Sequence, residues 1–144
     1  VNYAKRGLLN EAIAEFQKSI ETDNAQPNSH FNLGLAYEKL GKPTDAIHEY
    51  NTVIQLDPNN FNVRYALGTL YHGLGLIDKA VDEFQKIIML YPGNINVYKK
   101  LIFLYLNDKK DMEMSQYYLK ELLRIDPSQA QKDDIKQVLD RLRL

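Results

Sequence analysis

Apolar residues recur along this chain at the spacing of helix faces rather than of strands. Between residues 61 and 94, Leu67, Tyr71 and Leu74 fall on one face of a helix, Gly75 interrupts, and a second stripe runs through Ile77, Ala80, Val81, Phe84, Ile87 and Ile88. Pro92 follows that stripe, where a proline commonly stands because it cannot continue a helix. Residues 27–60 show the same succession, with Pro43 in the first turn of the second helix, a position that tolerates a missing N–H. No segment sustains the period-two alternation of a half-buried strand. The pattern predicts an all-α chain of helix-turn-helix units.

The units recur with a period of 34 residues. Residues 27–60 laid over 61–94 without a gap agree at twelve positions, including Leu33/Leu67, Gly34/Gly68, Tyr37/Tyr71, Gly41/Gly75, Ala46/Ala80 and Pro58/Pro92. Unrelated segments of that length would share about two. Residues 1–26 fit the later part of the unit through Gly7, Ala12, Glu15, Phe16 and Ile20, so residues 1–6 are expected to be the end of a truncated first helix. Residues 95–129 fit through Asn96, Leu101, Tyr105 and Pro127, with one extra residue after Tyr105 that is expected in a loop. Residues 130–144 leave the pattern and carry a single stripe of Ile135, Val138, Leu139 and Leu142, which suits a helix that shields the last apolar face of a stack. The expected organisation is a repeat array over 1–129, with a partial repeat 1–26, repeats 27–60 and 61–94 and a divergent repeat 95–129, followed by a capping helix over 130–144.

Glycine inside a helix costs about 0.8–1.0 kcal/mol relative to alanine, so Gly34 and Gly68 at one slot need a packing reason. Close approach of the first helix to the small Ala46 or Ala80 of the second supplies one, with Tyr37, Tyr71, Tyr50 and Phe84 filling the volume beside it. The run Leu33-Gly34-x-x-Tyr37, then Gly41, Ala46, Tyr50 and Pro58, resembles the tetratricopeptide repeat signature, and Leu67-Gly68, Tyr71, Gly75, Ala80, Phe84 and Pro92 follow it more closely. The resemblance covers residues 1–129. It departs where the Trp slot holds His30, Arg64 and Tyr98, where the Pro slot of the first unit holds Asn24, and where the last unit has Ile102 for Gly and Ser115 for Ala. The resemblance implies a right-handed superhelical solenoid whose first helices line a concave surface that binds proteins or peptides.

Balanced charge, 18 basic against 19 acidic residues, leaves no excess to drive nucleic-acid binding. With no cysteine there is no disulfide framework, and no apolar run approaches the roughly 20 residues that span a bilayer. A cytoplasmic location is the expectation, although a cysteine-free chain fits the periplasm equally well. The chain opens at Val1 rather than Met, which reads as a fragment or trimmed chain with room for a signal or anchor upstream. His30, His48 and His72 stand on three different helices without a second ligand at i+3 or i+4. Gly41-Lys42-Pro43-Thr44 lacks the earlier glycine and the strand of a phosphate loop, and Asp108, Asp111 and Glu113 in the inserted loop lack calcium-loop spacing. No cofactor and no catalytic function are expected.

The candidate binding surface is the side of each first helix opposite its core stripe. It comprises Asn28, Phe31, Asn32 and Leu35; then Asn62, Tyr65, Thr69 and His72; then Asn96, Lys99, Lys100 and Phe103. Asn28, Asn62 and Asn96 form a ladder at one slot, and an amide can both donate to and accept from a peptide backbone, though asparagine also suits a helix start. Phe31, Tyr65, Leu35 and Phe103 offer apolar area of the kind binding hot spots use, or pack between neighbouring first helices. Lys99 and Lys100 would meet an acidic group or stand solvated. The family's basic clamp for a terminal carboxylate needs charges that Asn62 and Ala66 do not supply, so the chain does not read as that chaperone cofactor. The expected function is a scaffold for a protein or peptide ligand; the alternatives are a self-assembling homo-oligomer and an accessory domain of a larger protein.

Overall fold

The computed structural model describes residues 3–23 and 26–143, and for Tyr3 and Ala4 the backbone only. Every regular element among them is helical: α1 (Tyr3–Thr22), α2 (Pro27–Lys39), α3 (Pro43–Leu56), α4 (Phe61–Gly73), α5 (Ile77–Leu90), α6 (Ile95–Phe103), α7 (Met112–Ile125) and α8 (Asp133–Leu142). A π-helical turn, Leu104–Lys109, continues α6, and a 3-10 turn, Pro127–Gln131, leads into α8. Two compact units divide the chain, Val1–Leu70 and Tyr71–Leu144, and the division falls inside α4.

In the first unit α2 packs antiparallel on α3. Pro27 and Pro43 open these helices at the position where an absent N–H costs nothing. Leu33, Ala46, Tyr50 and Val53 are buried between them. The close approach at Gly34 is real, but its partner is the Tyr50 ring rather than Ala46: a Cβ on residue 34 would stand 2.5 Å from Tyr50 Cε1. A flat aromatic face fits against a bare helix backbone and fills the gap that a smaller residue would leave.

Helix α1 corrects the expectation for residues 1–6. It runs unbroken from Tyr3 through Gly7 to Thr22, so Tyr3–Arg6 belong to the same helix as the rest; Val1 and Asn2 lie outside the described residues, as does Asn24. Nothing lies within 4 Å of a Cβ placed on Gly7, and no packing forces a turn there. Gly7 then only weakens a helix that the flanking residues sustain.

In the second unit Val97, Leu101, Ile102, Leu119 and Leu122 are buried between α6 and α7, and Ile135, Val138 and Leu142 of the capping helix α8 are buried as well. Stacked Tyr105 and Tyr118, with ring centroids 5.5 Å apart, extend this core, and Gln85 Nε2 donates to the Tyr118 hydroxyl at 2.8 Å. Leu74, expected to end the apolar stripe of the first helix, lies beyond the end of α4 and is exposed. The extra residue after Tyr105 makes no loop. It widens the last turn of α6 into the π-helical turn, the usual way an insertion is absorbed without breaking a helix. Asp108 therefore lies in helix, and Asp111 caps α7 by accepting the Met114 N–H at 3.0 Å.

Within each repeat the turn from the first helix to the second carries one left-handed residue. Gly41 (φ 73°) and Gly75 (φ 74°) supply it, and in the third turn Lys110 (φ 56°) does. A Cβ in this region costs about 1–2 kcal/mol. Gly41→Ala is expected to lower stability by about 1 kcal/mol, with no steric contribution because nothing lies within 4 Å. Lys110→Gly is expected to raise it by roughly 0.5–1 kcal/mol. Urea unfolding of the two variants reads opposite signs at equivalent turns.

Candidate functional site

The candidate residues divide between the units and none is buried. In the first unit Asn28, Asn32, Asn62 and Thr69 are exposed, and Phe31, Leu35 and Tyr65 are half-buried. The Phe31 ring lies 5.7 Å from the Tyr50 ring, and Tyr65 stacks on Phe61 at 5.8 Å. Both aromatics are thus braced from behind, with part of each ring in solvent. Phe61 was not singled out from the sequence, although its i, i+4 spacing to Tyr65 is the signal for such a stack.

Asparagine caps do occur here, but two residues before the ladder. Asn60 Oδ1 accepts the Val63 N–H at 3.1 Å, and Asn94 Oδ1 accepts the Val97 N–H at 3.1 Å. Asn28, Asn62 and Asn96 are each the second residue of their helix, exposed and not the capping residue.

In the second unit His72 and Asn96 are exposed, while Lys99, Lys100 and Phe103 are half-buried. Lys99 does not stand as a loose cation: its Nζ donates to Asp134 Oδ2 of α8 at 3.0 Å. His72 Nε2 lies 3.3 Å from Asp108 Oδ2, and Arg141 Nη1 donates to Asn107 Oδ1 at 2.8 Å. Leu106, which the helical wheel assigns to the open side, is buried because the π-helical turn rotates the residues after Phe103. The partners Asp134 and Arg141 were legible in principle. Lys99 and Asp134 are 35 residues apart, the length of the last repeat, so α8 occupies the register of a further first helix.

Burial opposes ionisation of Asp134, but the Lys99 ammonium and the Ile135 N–H hold its carboxyl below its usual range. A carboxylate depressed in this way stabilises the fold at neutral pH, and the contribution disappears as the pH falls through the folded-state value. Both side chains are partly exposed, so the pair is worth at most about 1 kcal/mol. Asp134→Asn is expected to lower the melting temperature at pH 7 by roughly 1–3 °C and to have no effect at pH 2.

At the former tryptophan slot His30 is buried, its Nδ1 2.7 Å from Glu49 Oε2, and Arg64 donates through Nε to the Pro58 carbonyl at 3.0 Å. His30 and Glu49, with Gln17, Ile20, Glu21 and Leu33, line a half-open cleft of about 390 Å³ that includes none of the candidate residues. The buried Tyr50 hydroxyl donates to Glu38 Oε2 at 2.5 Å; burial first, and that carboxylate second, hold the phenol far above its usual range. Among the described residues no three His, Cys, Asp or Glu side chains converge as a metal site would require. No helix among them is long and apolar enough to cross a membrane.

Family models described as TPR repeat match residues 2–41 and 39–75, and one described as tetratricopeptide repeat matches residues 61–94. The chain belongs to the tetratricopeptide repeat family, whose members are generally non-catalytic. No curated protein matches this sequence. Among solved structures, a crystal structure of MamA aligns with a TM-score of 0.76 and 22% identity over 96% of this chain and 81% of its own. A second MamA structure gives 0.75 and 27% over 91% and 71%. A structure of PilF from Pseudomonas aeruginosa gives 0.74 and 22% over 98% of this chain and 64% of its own. These likenesses agree on the all-α helical-repeat fold, which is consistent with a protein-interaction scaffold.

Proposed function

We propose that this chain is a protein-interaction scaffold whose first-helix faces hold an extended segment of a partner protein. The observation that carries the reading is the pair of exposed amides Asn28 and Asn62 at one slot of α2 and α4 in the first unit; Asn96 holds the same slot of α6 in the second. In α4 and α6 helix capping, the ordinary use of asparagine at that end, falls to Asn60 and Asn94 instead. An amide that donates and accepts at once can grip a peptide backbone whatever its side chains. Phe31, Tyr65 and Phe103, half-buried and therefore pre-ordered, would take apolar side chains at little cost in rotamer entropy.

Affinity capture from native lysate, followed by titration of the captured partner, tests this. Asn62→Ala with Asn96→Ala is expected to weaken binding at least tenfold, about 1.4 kcal/mol, while the melting temperature stays within a degree or two because both side chains are exposed. Tyr65→Ala with Phe103→Ala should do the same at a modest cost in stability. Unchanged affinity in both double variants would remove the reading.

A further inference from the structure

The junction between the second helix of one repeat and the hairpin that follows is built alike at α1–α2 and at α5–α6, but its inner slots are filled differently. By the repeat register, Gln17, Ile20 and Leu33 of the first unit correspond to Gln85, Ile88 and Leu101 of the second, so three residues of the frame are identical. Gln17 Nε2 donates to the Tyr37 hydroxyl at 3.3 Å, as Gln85 Nε2 donates to the Tyr105 hydroxyl at 3.4 Å. In the second unit the inner slots hold Tyr98 and Tyr118, both buried, with ring centroids 6.3 Å apart. Gln85 Nε2 also donates to the Tyr118 hydroxyl, at 2.8 Å. In the first unit, once the residue inserted after Tyr105 is allowed for, the same slots hold the smaller His30 and Glu49, paired at 2.7 Å. Here the frame encloses the half-open cleft of about 390 Å³. Its opening follows from the side chains at 30 and 49.

We propose that this cleft binds the side chain of a tyrosine from a partner protein, in the place that Tyr118 holds within the last repeat. Ile20 and Leu33 give the ring an apolar wall. Besides the His30 ring, the polar lining is Gln17, Glu21 and Glu49, and carboxylates only accept, so they select a ring that donates an O–H. The same unit already makes such a bond, from the Tyr50 hydroxyl to Glu38. The Gln17 amide has a second N–H for the phenol oxygen, the pairing that Gln85 makes with Tyr118. Phenylalanine lacks the donor and would strip water from the carboxylates without replacing it. An arginine side chain is the competing donor, and the tyrosines at the equivalent slots favour the ring. None of the first-helix candidate residues lines the cleft, so its test is independent of theirs.

The test is a titration of the 144-residue chain with N-acetyl-tyrosinamide, following the Gln17 side-chain amide and the His30 ring by NMR. Saturable shifts are expected, with a dissociation constant of about 1 mM, the scale a single side chain can supply. N-acetyl-phenylalaninamide is expected to bind roughly fivefold more weakly or worse, since it offers the carboxylates no hydrogen bond. His30→Tyr with Glu49→Tyr rebuilds the filled junction of the last repeat and should weaken binding by roughly tenfold or more. Gln17→Ala, at an exposed position that leaves the fold intact, should weaken it roughly threefold or more. No saturable shift at these atoms up to about 20 mM overturns the proposal, as does equal binding of the phenylalanine amide. Tighter binding of N-acetyl-argininamide overturns it too, making the cleft a cation site, and so does undiminished binding in Gln17→Ala.

Discussion

Ile102→Gly is expected to cost the protein about 4–5 kcal/mol, although glycine is the residue its family and two of its own repeats carry at that slot. Ile102 occupies the place of Gly34 and Gly68 and is 0% exposed. Truncating a buried isoleucine to alanine costs about 2–5 kcal/mol through lost transfer energy and the cavity left behind, and glycine in a helix interior adds about 1. The neighbourhood cannot close the gap easily. The Ser115 hydroxyl is bonded to the Ile102 carbonyl at 3.1 Å and holds α7 at its present distance from α6. Leu119 stands where the preceding repeats place Tyr50 and Phe84, so the aromatic that would fill the space above a glycine is missing. The melting temperature should fall by more than 10 °C, roughly 3 °C per kcal/mol for a chain of this size. Ile102→Gly with Leu119→Tyr should recover a large part of the loss. A decrease below about 1 kcal/mol would mean that the core collapses into the vacated space.

The same slot explains what the sequence could and could not disclose. The all-α class, the hairpin repeat and the family were legible because they depend on residues that recur: Gly34/Gly68, Tyr37/Tyr71, Ala46/Ala80. Features that depend on a single substitution were not. Ile102 signals that the glycine contact is lost, but only the pairing with Leu119 and the Ser115 hydroxyl explains how two helices still pack there. One extra residue after Tyr105 is equally compatible with a loop and a widened helical turn; the choice depends on keeping Leu104, Tyr105 and Leu106 buried together, a tertiary property. Gly7 resembles a turn residue in one dimension, yet it lies inside α1, where nothing stands within 4 Å of a Cβ placed on it. The candidate surface divides in the same manner. Exposure of Asn28, Asn62 and Asn96 follows from helical phase alone. The pairing of Lys99 with Asp134 required knowing that α8, outside the repeat pattern, still stands one repeat further on.

Gly34 carries the opposite requirement, and Gly34→Val is expected to cost about 3 kcal/mol or more. A Cβ there would lie 2.5 Å from Cε1, 2.7 Å from Cδ1 and 3.1 Å from Cζ of Tyr50, well inside van der Waals contact. The ring cannot swing aside: it is 0% exposed, and its hydroxyl is tied to Glu38. Overpacking a core by this amount typically costs about 1–3 kcal/mol, and a β-branched residue adds two methyl groups to the clash. Alanine is the informative intermediate. It gains about 1 kcal/mol of helix propensity over glycine and still meets the ring, so Gly34→Ala should be destabilising by about 1–2 kcal/mol. Gly7→Ala, in a helix with no atom nearby, should instead raise stability by roughly 0.5–1 kcal/mol. If the ring is the cause, Tyr50→Leu relieves it, and Gly34→Val with Tyr50→Leu should be more stable than the sum of the single changes predicts by about 1.5–3 kcal/mol. That combination moves the larger residue from the second helix to the first, the exchange already present as Ile102 and Leu119. Additive losses would show that backbone strain within α2, and not the tyrosine facing it, keeps glycine at residue 34.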